Sequence, residues 1–128
     1  MNLYLLVFIG CGMGGMLRYL TTLKINSFFG SYYPLGTLSV NIIGSFIIGL
    51  LFTVISNKFS ANNEAADQLK ALLITGFLGG YTTFSSFSIE TINLLKAGEL
   101  FVALLYITCS VVFCIGFACL GTVIGERL

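Results

Sequence analysis

Residues 76–87 read GFLGGYTTFSSF, and this stretch decides the fold. It lies inside an apolar segment long enough to cross a bilayer, yet its composition works against a continuous helix. Gly79 and Gly80 are adjacent, and a Gly in a helix interior costs about 1 kcal/mol relative to Ala. Thr82 and Thr83 follow; both are β-branched, and both can bond their own backbone in place of the helical ladder. The pattern predicts a helix that runs up to this stretch, breaks over 79–83 and restarts near Phe84. Within lipid, freed N–H and C=O groups are tolerated only where protein or a wet cavity surrounds them. Broken helices of this kind offer loosened carbonyls and half-helix ends as ion ligands. The plainer reading is a glycine-rich kink that lets helices pack.

The rest of the chain is composed to hold such a segment in a membrane. Of its 128 residues, 57% are hydrophobic and 9% charged, against about 25% charged in soluble domains. A spanning helix takes about 20 residues, so the chain reads as a single all-α transmembrane domain over 1–128, with four spans, short connections and no room for a soluble domain. A net charge of +1 gives no case for nucleic-acid binding. The absence of His removes the usual proton shuttle and the commonest metal ligand. Cys11, Cys109, Cys114 and Cys119 lie in apolar runs without a CxxC pair, and read as small core residues rather than zinc ligands or a disulfide frame. No Lys or Arg precedes the first apolar run, and Arg18 interrupts it. That run therefore does not read as a signal peptide, and the chain is expected to insert whole.

Hydrophobic runs place the spans over about 3–23, 35–56, 69–96 with the break at 79–83, and 100–124. Gly10 and Gly14 in span 1, and Gly121 and Gly125 in span 4, have the GxxxG spacing that lets helix backbones approach closely. Pro34 suits the entry to span 2. Asn57 to Lys70 reads as a solvated loop leading into span 3. Thr37, Asn41 and Ser45 are spaced i, i+4, i+8 and form one polar stripe on span 2. Tyr106, Ser110 and Cys114 repeat that spacing on span 4.

No nucleophile–base set, carboxylate pair or P-loop is present in the sequence, so the chain does not read as an enzyme. The intramembrane polar residues are mainly neutral hydrogen-bond donors: Thr37, Asn41, Ser45, Ser85, Ser88, Tyr106 and Ser110. A path lined by such donors suits an anion, which must exchange its hydration shell for them as it crosses. Any one Ser or Thr is also explained by a bond back to the preceding turn. Asn41 is not, because its amide has more polar atoms than a local bond satisfies, and leaving them unpaired in a membrane is costly. Arg18 either snorkels to the interface or concentrates anions at a vestibule mouth. Glu90 is either a structural acceptor or part of a pathway. Phe84 and Phe87 share a helix face, which is ordinary packing unless their positive ring edges meet an anion.

The charge pattern bears on orientation, which the Lys and Arg of cytoplasmic loops normally set. With four spans, Lys58, Lys70 and Arg127 share one side, and Lys24 and Lys96 share the other, with Arg18 snorkelling towards them. The balance leaves almost no positive-inside bias and predicts insertion both ways up, as an inverted pair would require.

The run GFLGGYTTFSSFS, with GTLSVNIIGSFIIG at 36–49 and GMGGMLRY at 12–19, closely resembles the small bacterial fluoride channels of the Fluc or CrcB family. The resemblance covers the whole chain. It implies a dual-topology homodimer of inverted subunits in the bacterial cytoplasmic (inner) membrane, with two fluoride pores and passive export that protects against fluoride toxicity. It implies that Phe84 and Phe87 line the pores by their ring edges, that Asn41 is a pore donor, and that Tyr106 and Ser110 lie on a polar track. It also implies a structural Na+ at the dimer centre, held by the Gly79 and Thr82 carbonyls of both subunits. Arg18 matches the family's arginine in the first span, and Cys114 stands where some relatives carry a hydroxyl. Carbonyls without a nearby acid suit a hard monovalent cation better than Ca²⁺. The competing readings are a proton-coupled small four-helix exporter, which would want a carboxylate deep in a span, and a non-transporting assembly subunit resting on the GxxxG pairs.

Overall fold

The computed structural model describes residues 2–59 and 63–128. All regular structure among them is helical, in four segments long and apolar enough to cross a membrane: Leu3–Phe29, Leu35–Lys58, Glu64–Lys96 and Leu100–Gly125. The chain is a multi-pass membrane protein whose large apolar side chains, such as Phe8, Met16, Phe101 and Phe113, face outward. In lipid that arrangement carries no hydrophobic penalty, and helix association rests on close packing and polar contacts instead.

Local chemistry sets each boundary. Asn2 caps span 1 by accepting from the Tyr4 amide. The span runs on to Phe29, past the expected end at 23. It stops where Gly30 takes a positive φ of 82° and gives its N–H to the Asn26 carbonyl, a conformation that costs glycine little. Pro34 leads directly into span 2. Span 3 starts at Glu64 rather than 69, because Asn63 accepts from the Ala65 and Ala66 amides and caps a turn there. Part of the expected solvated loop is therefore helical, and residues 60–62 of it lie outside the described residues.

Span 3 is broken, and the break is narrower than the glycines imply. Its first half comprises Glu64–Leu69, a wide π-helical stretch Lys70–Leu78 and a last turn Gly79–Tyr81. Gly79 stays helical at φ −62°, ψ −35°. Thr82 and Thr83 turn extended, at φ −83°, ψ 160° and φ −154°, ψ 118°. The second half, Phe84–Lys96, restarts on Thr83, whose hydroxyl accepts from the Ser86 amide. The glycines serve packing: a Cβ on Gly80 would strike the Cys11 carbonyl at 2.5 Å. The threonines make the break.

Span 1 lies against the first half of span 3, and span 2 against span 4. Both GxxxG pairs are used inside the chain. Gly10 and Gly14 bring span 1 onto the backbone of Leu72 and Phe77, and Gly121 and Gly125 bring span 4 onto that of Phe46 and Leu50. The second half of span 3 packs against span 4, where Leu94, Ala103 and Tyr106 form a small core with Phe87 and Leu38 beside it. Cys11 and Cys119 are exposed and Cys109 and Cys114 half-buried, so the cysteines are not the core residues that their apolar neighbours led us to expect.

Candidate anion pathway

The break is held by a side chain from another helix. Asn41 Nδ2 donates to the Thr83 carbonyl at 3.0 Å, and the Thr83 amide donates to Asn41 Oδ1 at 2.8 Å. This pairing takes over backbone groups that a continuous helix would have used. In particular, the Thr83 amide is the group that would otherwise close on the Gly79 carbonyl. Asn41 reaches them because Gly44, one turn on, leaves room for the Thr82 methyl.

Arg18 meets the same break from the opposite helix. Its guanidinium donates to the Thr82 carbonyl at 3.1 Å, and the Thr82 hydroxyl bonds back to the Leu78 carbonyl at 2.9 Å. The structure thus directs Arg18 inward to the break. Thr82 and Thr83 are tied to span 1 and span 2 respectively.

Beside the break lies a groove of about 380 Å³. Asn41, Phe84, Phe87 and Ser110 all line it, together with Ser45, Thr82, Thr83 and Cys114. The Ser110 hydroxyl oxygen is buried with no hydrogen-bond partner. Such a group is costly unless a guest completes it. The Phe84 and Phe87 rings lie 5.3 Å apart, centroid to centroid, at 44°. Phe84 is 77% exposed in the single chain, so one side of the groove has no wall.

A second polar cluster continues the line. Glu90 accepts from the Thr37 hydroxyl at 2.7 Å and from the Tyr106 hydroxyl at 2.9 Å. The Tyr106 ring packs on Phe87 at 5.2 Å, which joins this cluster to the groove. Thr37 and Glu90 also floor a cavity of about 210 Å³ under the connector between spans 1 and 2. At its rim the Tyr32 hydroxyl donates to Glu99 at 3.3 Å. The neighbouring carboxylate holds the Tyr32 phenol above its ordinary pKa, by its charge first and by the hydrogen bond second.

The two polar stripes therefore meet along one seam. Thr37 and Tyr106 share Glu90, while Asn41, Ser45, Ser110 and Cys114 face the groove. Ser85 stands apart: it is exposed, and its hydroxyl pairs with that of Thr83 at 3.1 Å. Ser88 bonds back to the Phe84 carbonyl, as an ordinary helical serine does. Sequence reasoning placed Thr83 in the break but missed that it caps the second half-helix and is clamped by Asn41. The cue was a Thr three residues before Ser86, at the start of a helical run.

The model of the CrcB-like protein family, also described as Camphor Resistance (CrcB), matches residues 5–122. The chain belongs to this family. Among its relatives, a protein of Coxiella burnetii (strain CbuK_Q154) named "Fluoride-specific ion channel FluC" is 50% identical over 124 residues, covering 97% of this chain and 98% of the relative. A protein of the same name from Aquifex aeolicus (strain VF5) is 41% identical over the full length of both chains, 128 residues. Another, from Magnetococcus marinus, is 41% identical over 122 residues, 95% of this chain and 96% of the relative.

Proposed function

We propose that the chain is a passive fluoride-selective channel of the bacterial cytoplasmic membrane, not an enzyme, and that it lets fluoride leave the cell and so limits its toxicity. The observation that carries this reading is the seam of neutral donors. Ser110, whose hydroxyl oxygen is buried without a partner, is among the residues lining a groove that also holds Asn41, Phe84 and Phe87. The naming of relatives at 41–50% identity as fluoride-specific channels supports it. In this reading Asn41 offers its remaining N–H to the ion, and Phe84 and Phe87 offer ring edges. Thr37, Tyr106 and Ser110 continue the donor track, Ser85 joins it from outside the groove through its hydroxyl contact with Thr83, and Arg18 adds a fixed positive charge beside it.

The working unit is an antiparallel homodimer in lipid, because one chain leaves Phe84 bare and the groove open. A second, inverted copy closes both grooves at once. A structural Na+ between the copies belongs to this reading. The Gly79 carbonyl has lost its helical donor to Asn41, and the Thr82 carbonyl has one lone pair on Arg18 and one free for another partner. Among the described residues no group of three or more His, Cys, Asp or Glu side chains comes together to hold a metal, so neutral carbonyls are the oxygens available. Two per chain are half a coordination shell, and a second copy supplies the rest. The bound ion would supply positive charge that ties the two breaks together.

The alternative, a proton-coupled exporter, draws on Glu90, whose carboxylate lies between two hydroxyl donors. Fluoride efflux from liposomes separates the two. A channel runs down a fluoride gradient at equal pH on both sides, ignores chloride, and is not driven uphill by a proton gradient. Proton-driven accumulation of fluoride would overturn the channel reading.

A further inference from the structure

Building on the channel reading, we propose that the connector 30–34 is a lid over the surface end of the donor track, latched by Tyr32 to Glu99, and that its opening limits anion flux. The cavity of about 210 Å³ beneath it has Thr37 and Glu90 in its floor and Ser31, Tyr32, Tyr33 and Pro34 in its roof. Its floor thus belongs to the last hydrogen-bonded cluster of the track, and its roof is the connector. A polar cavity of that size holds several waters. There an anion leaving Tyr106 and Thr37 trades protein donors for water, as it must before it reaches bulk solution. The connector covers the place of that exchange.

The connector is built to move as a unit. It is non-helical, and Gly30 turns it at φ 82° with open space around the glycine. At its other end the Leu35 amide closes a tight turn on the Tyr33 carbonyl at 2.8 Å. The Tyr32 and Tyr33 rings meet edge to face at 4.9 Å, which stiffens the piece between. Among the described residues, the one hydrogen bond from 31–33 that reaches beyond span 2 runs from the Tyr32 hydroxyl to Glu99 at 3.3 Å. Glu99 is free to accept it because it precedes span 4 without capping that helix by its side chain. The charge of its carboxylate keeps the Tyr32 phenol protonated and donating. The bond is exposed, so water readily takes its place, and loops of this kind move within nanoseconds to microseconds. Such a latch opens often and still biases the lid shut.

The test measures fluoride efflux from liposomes that hold the full-length protein, its Tyr32→Phe and Glu99→Ala variants, and the two substitutions together. Each single variant should raise flux about threefold, the worth of one exposed hydrogen bond. The double variant should go no further, because both substitutions remove the same bond. Glu99→Ala also takes away a negative charge near the anion's exit; if charge were the whole effect, Tyr32→Phe would be silent. A second measurement fixes the lid shut. Tyr32→Cys and Glu99→Cys are combined and joined by a bismethanethiosulfonate with a short spacer, and the bridge is located by peptide mass. The controls are the native protein with the same reagent and the double cysteine variant with a one-headed thiosulfonate. Bridging should cut flux about tenfold, as a closed lid does, and a thiol reductant should restore it. The proposal fails if Tyr32→Phe conducts as the native protein does, if the effects of the two substitutions add, or if the bridged protein conducts undiminished. Robust efflux with any of these results leaves the channel reading standing, whereas no efflux from the native protein removes both.

Discussion

Asn41 and Thr83 exchange two hydrogen bonds, 3.0 Å and 2.8 Å long, across the gap between span 2 and the broken span 3. The Asn41 amide behaves here as a peptide group would in a ladder. It satisfies a backbone N–H and a backbone C=O that lipid would leave unpaired. One N–H of the amide remains over, and Asn41 lines the groove. A residue expected from the sequence to be a pore donor is, in the structure, the clamp of the break.

Asn41→Ala should therefore reduce both flux and stability. Each backbone group left unpaired costs about 1–3 kcal/mol, and flux should drop by at least about tenfold, the equivalent of 1.4 kcal/mol. Thr83→Ala removes only the cap hydroxyl, costs about 1 kcal/mol and leaves the clamp in place. Liposome efflux and thermal unfolding of both variants test this. If Asn41→Ala unfolds at the wild-type midpoint, the clamp is not holding the break.

Glu90 is the shared acceptor of Thr37 and Tyr106, so the two donors should be coupled. Thr37→Val or Tyr106→Phe each removes one hydrogen bond to a charged group, worth about 1.5–3 kcal/mol. The double variant leaves the carboxylate with neither donor and should lose more stability than the two single variants added together, by about 0.5–3 kcal/mol. Strict additivity in a double-mutant cycle would show that the carboxylate does not couple them.

Phe84→Ile and Phe87→Ile should each impair flux although each keeps an apolar side chain. Phe84 is bare in the single chain, so packing alone predicts little change in monomer stability at that position. Phe87 sits between Phe84 and Tyr106, where a change of shape costs about 1–3 kcal/mol. A loss of flux in Phe84→Ile without loss of stability isolates the ring edge from packing. Normal conduction in both variants would be fatal to the ring-edge role.

The proposed Na+ should act on assembly more than on the act of conduction. Replacing Na+ with a bulky organic cation should leave flux intact at first, because a buried structural ion leaves slowly. The unfolding midpoint should nevertheless rise with Na+, since an ion that binds only the assembled state stabilises it by about 2.7 kcal/mol at a hundredfold excess over Kd. Arg18→Met should steepen that dependence, because the Thr82 carbonyl then loses its guanidinium partner. A midpoint indifferent to Na+ in both proteins would rule the site out.

The four spans and the break were legible because each rests on a local signal: apolar length, adjacent glycines, paired threonines. The boundaries were less so. Ile25 to Phe29 reads as connector by composition, yet it stays helical until Gly30 turns the chain. The structure brings the two i, i+4 stripes to one seam. What they did not give was who pairs with whom. That Arg18 turns to the Thr82 carbonyl depends on span 1 lying against the first half of span 3, a tertiary arrangement that no helix periodicity encodes. Likewise Thr37 and Tyr106 lie 69 positions apart in sequence, and only folding brings both to Glu90. The GxxxG pairs suggested helix association and left its partner open; each proves to be used within one chain, which weakens the case for a mere assembly subunit.

Arg18 is held at the break, so it no longer counts towards either surface. Lys58, Lys70 and Arg127 then stand on one side and Lys24 and Lys96 on the other. A difference of one charge is a weak signal for the translocation machinery, which responds to Lys and Arg near span ends. Both orientations should therefore occur, as an inverted pair requires. Three lysines inserted in the connector between spans 2 and 3 should fix one orientation and abolish flux. A second variant with three lysines inserted in the connector 30–34 should fix the opposite one and be equally silent alone. Co-expressed, the two should restore flux, because each groove then finds an inverted partner to close it. Site-specific labelling of each connector reads the orientation, and efflux reads the function. Full activity from either variant alone, with labelling on one side only, would exclude the antiparallel dimer.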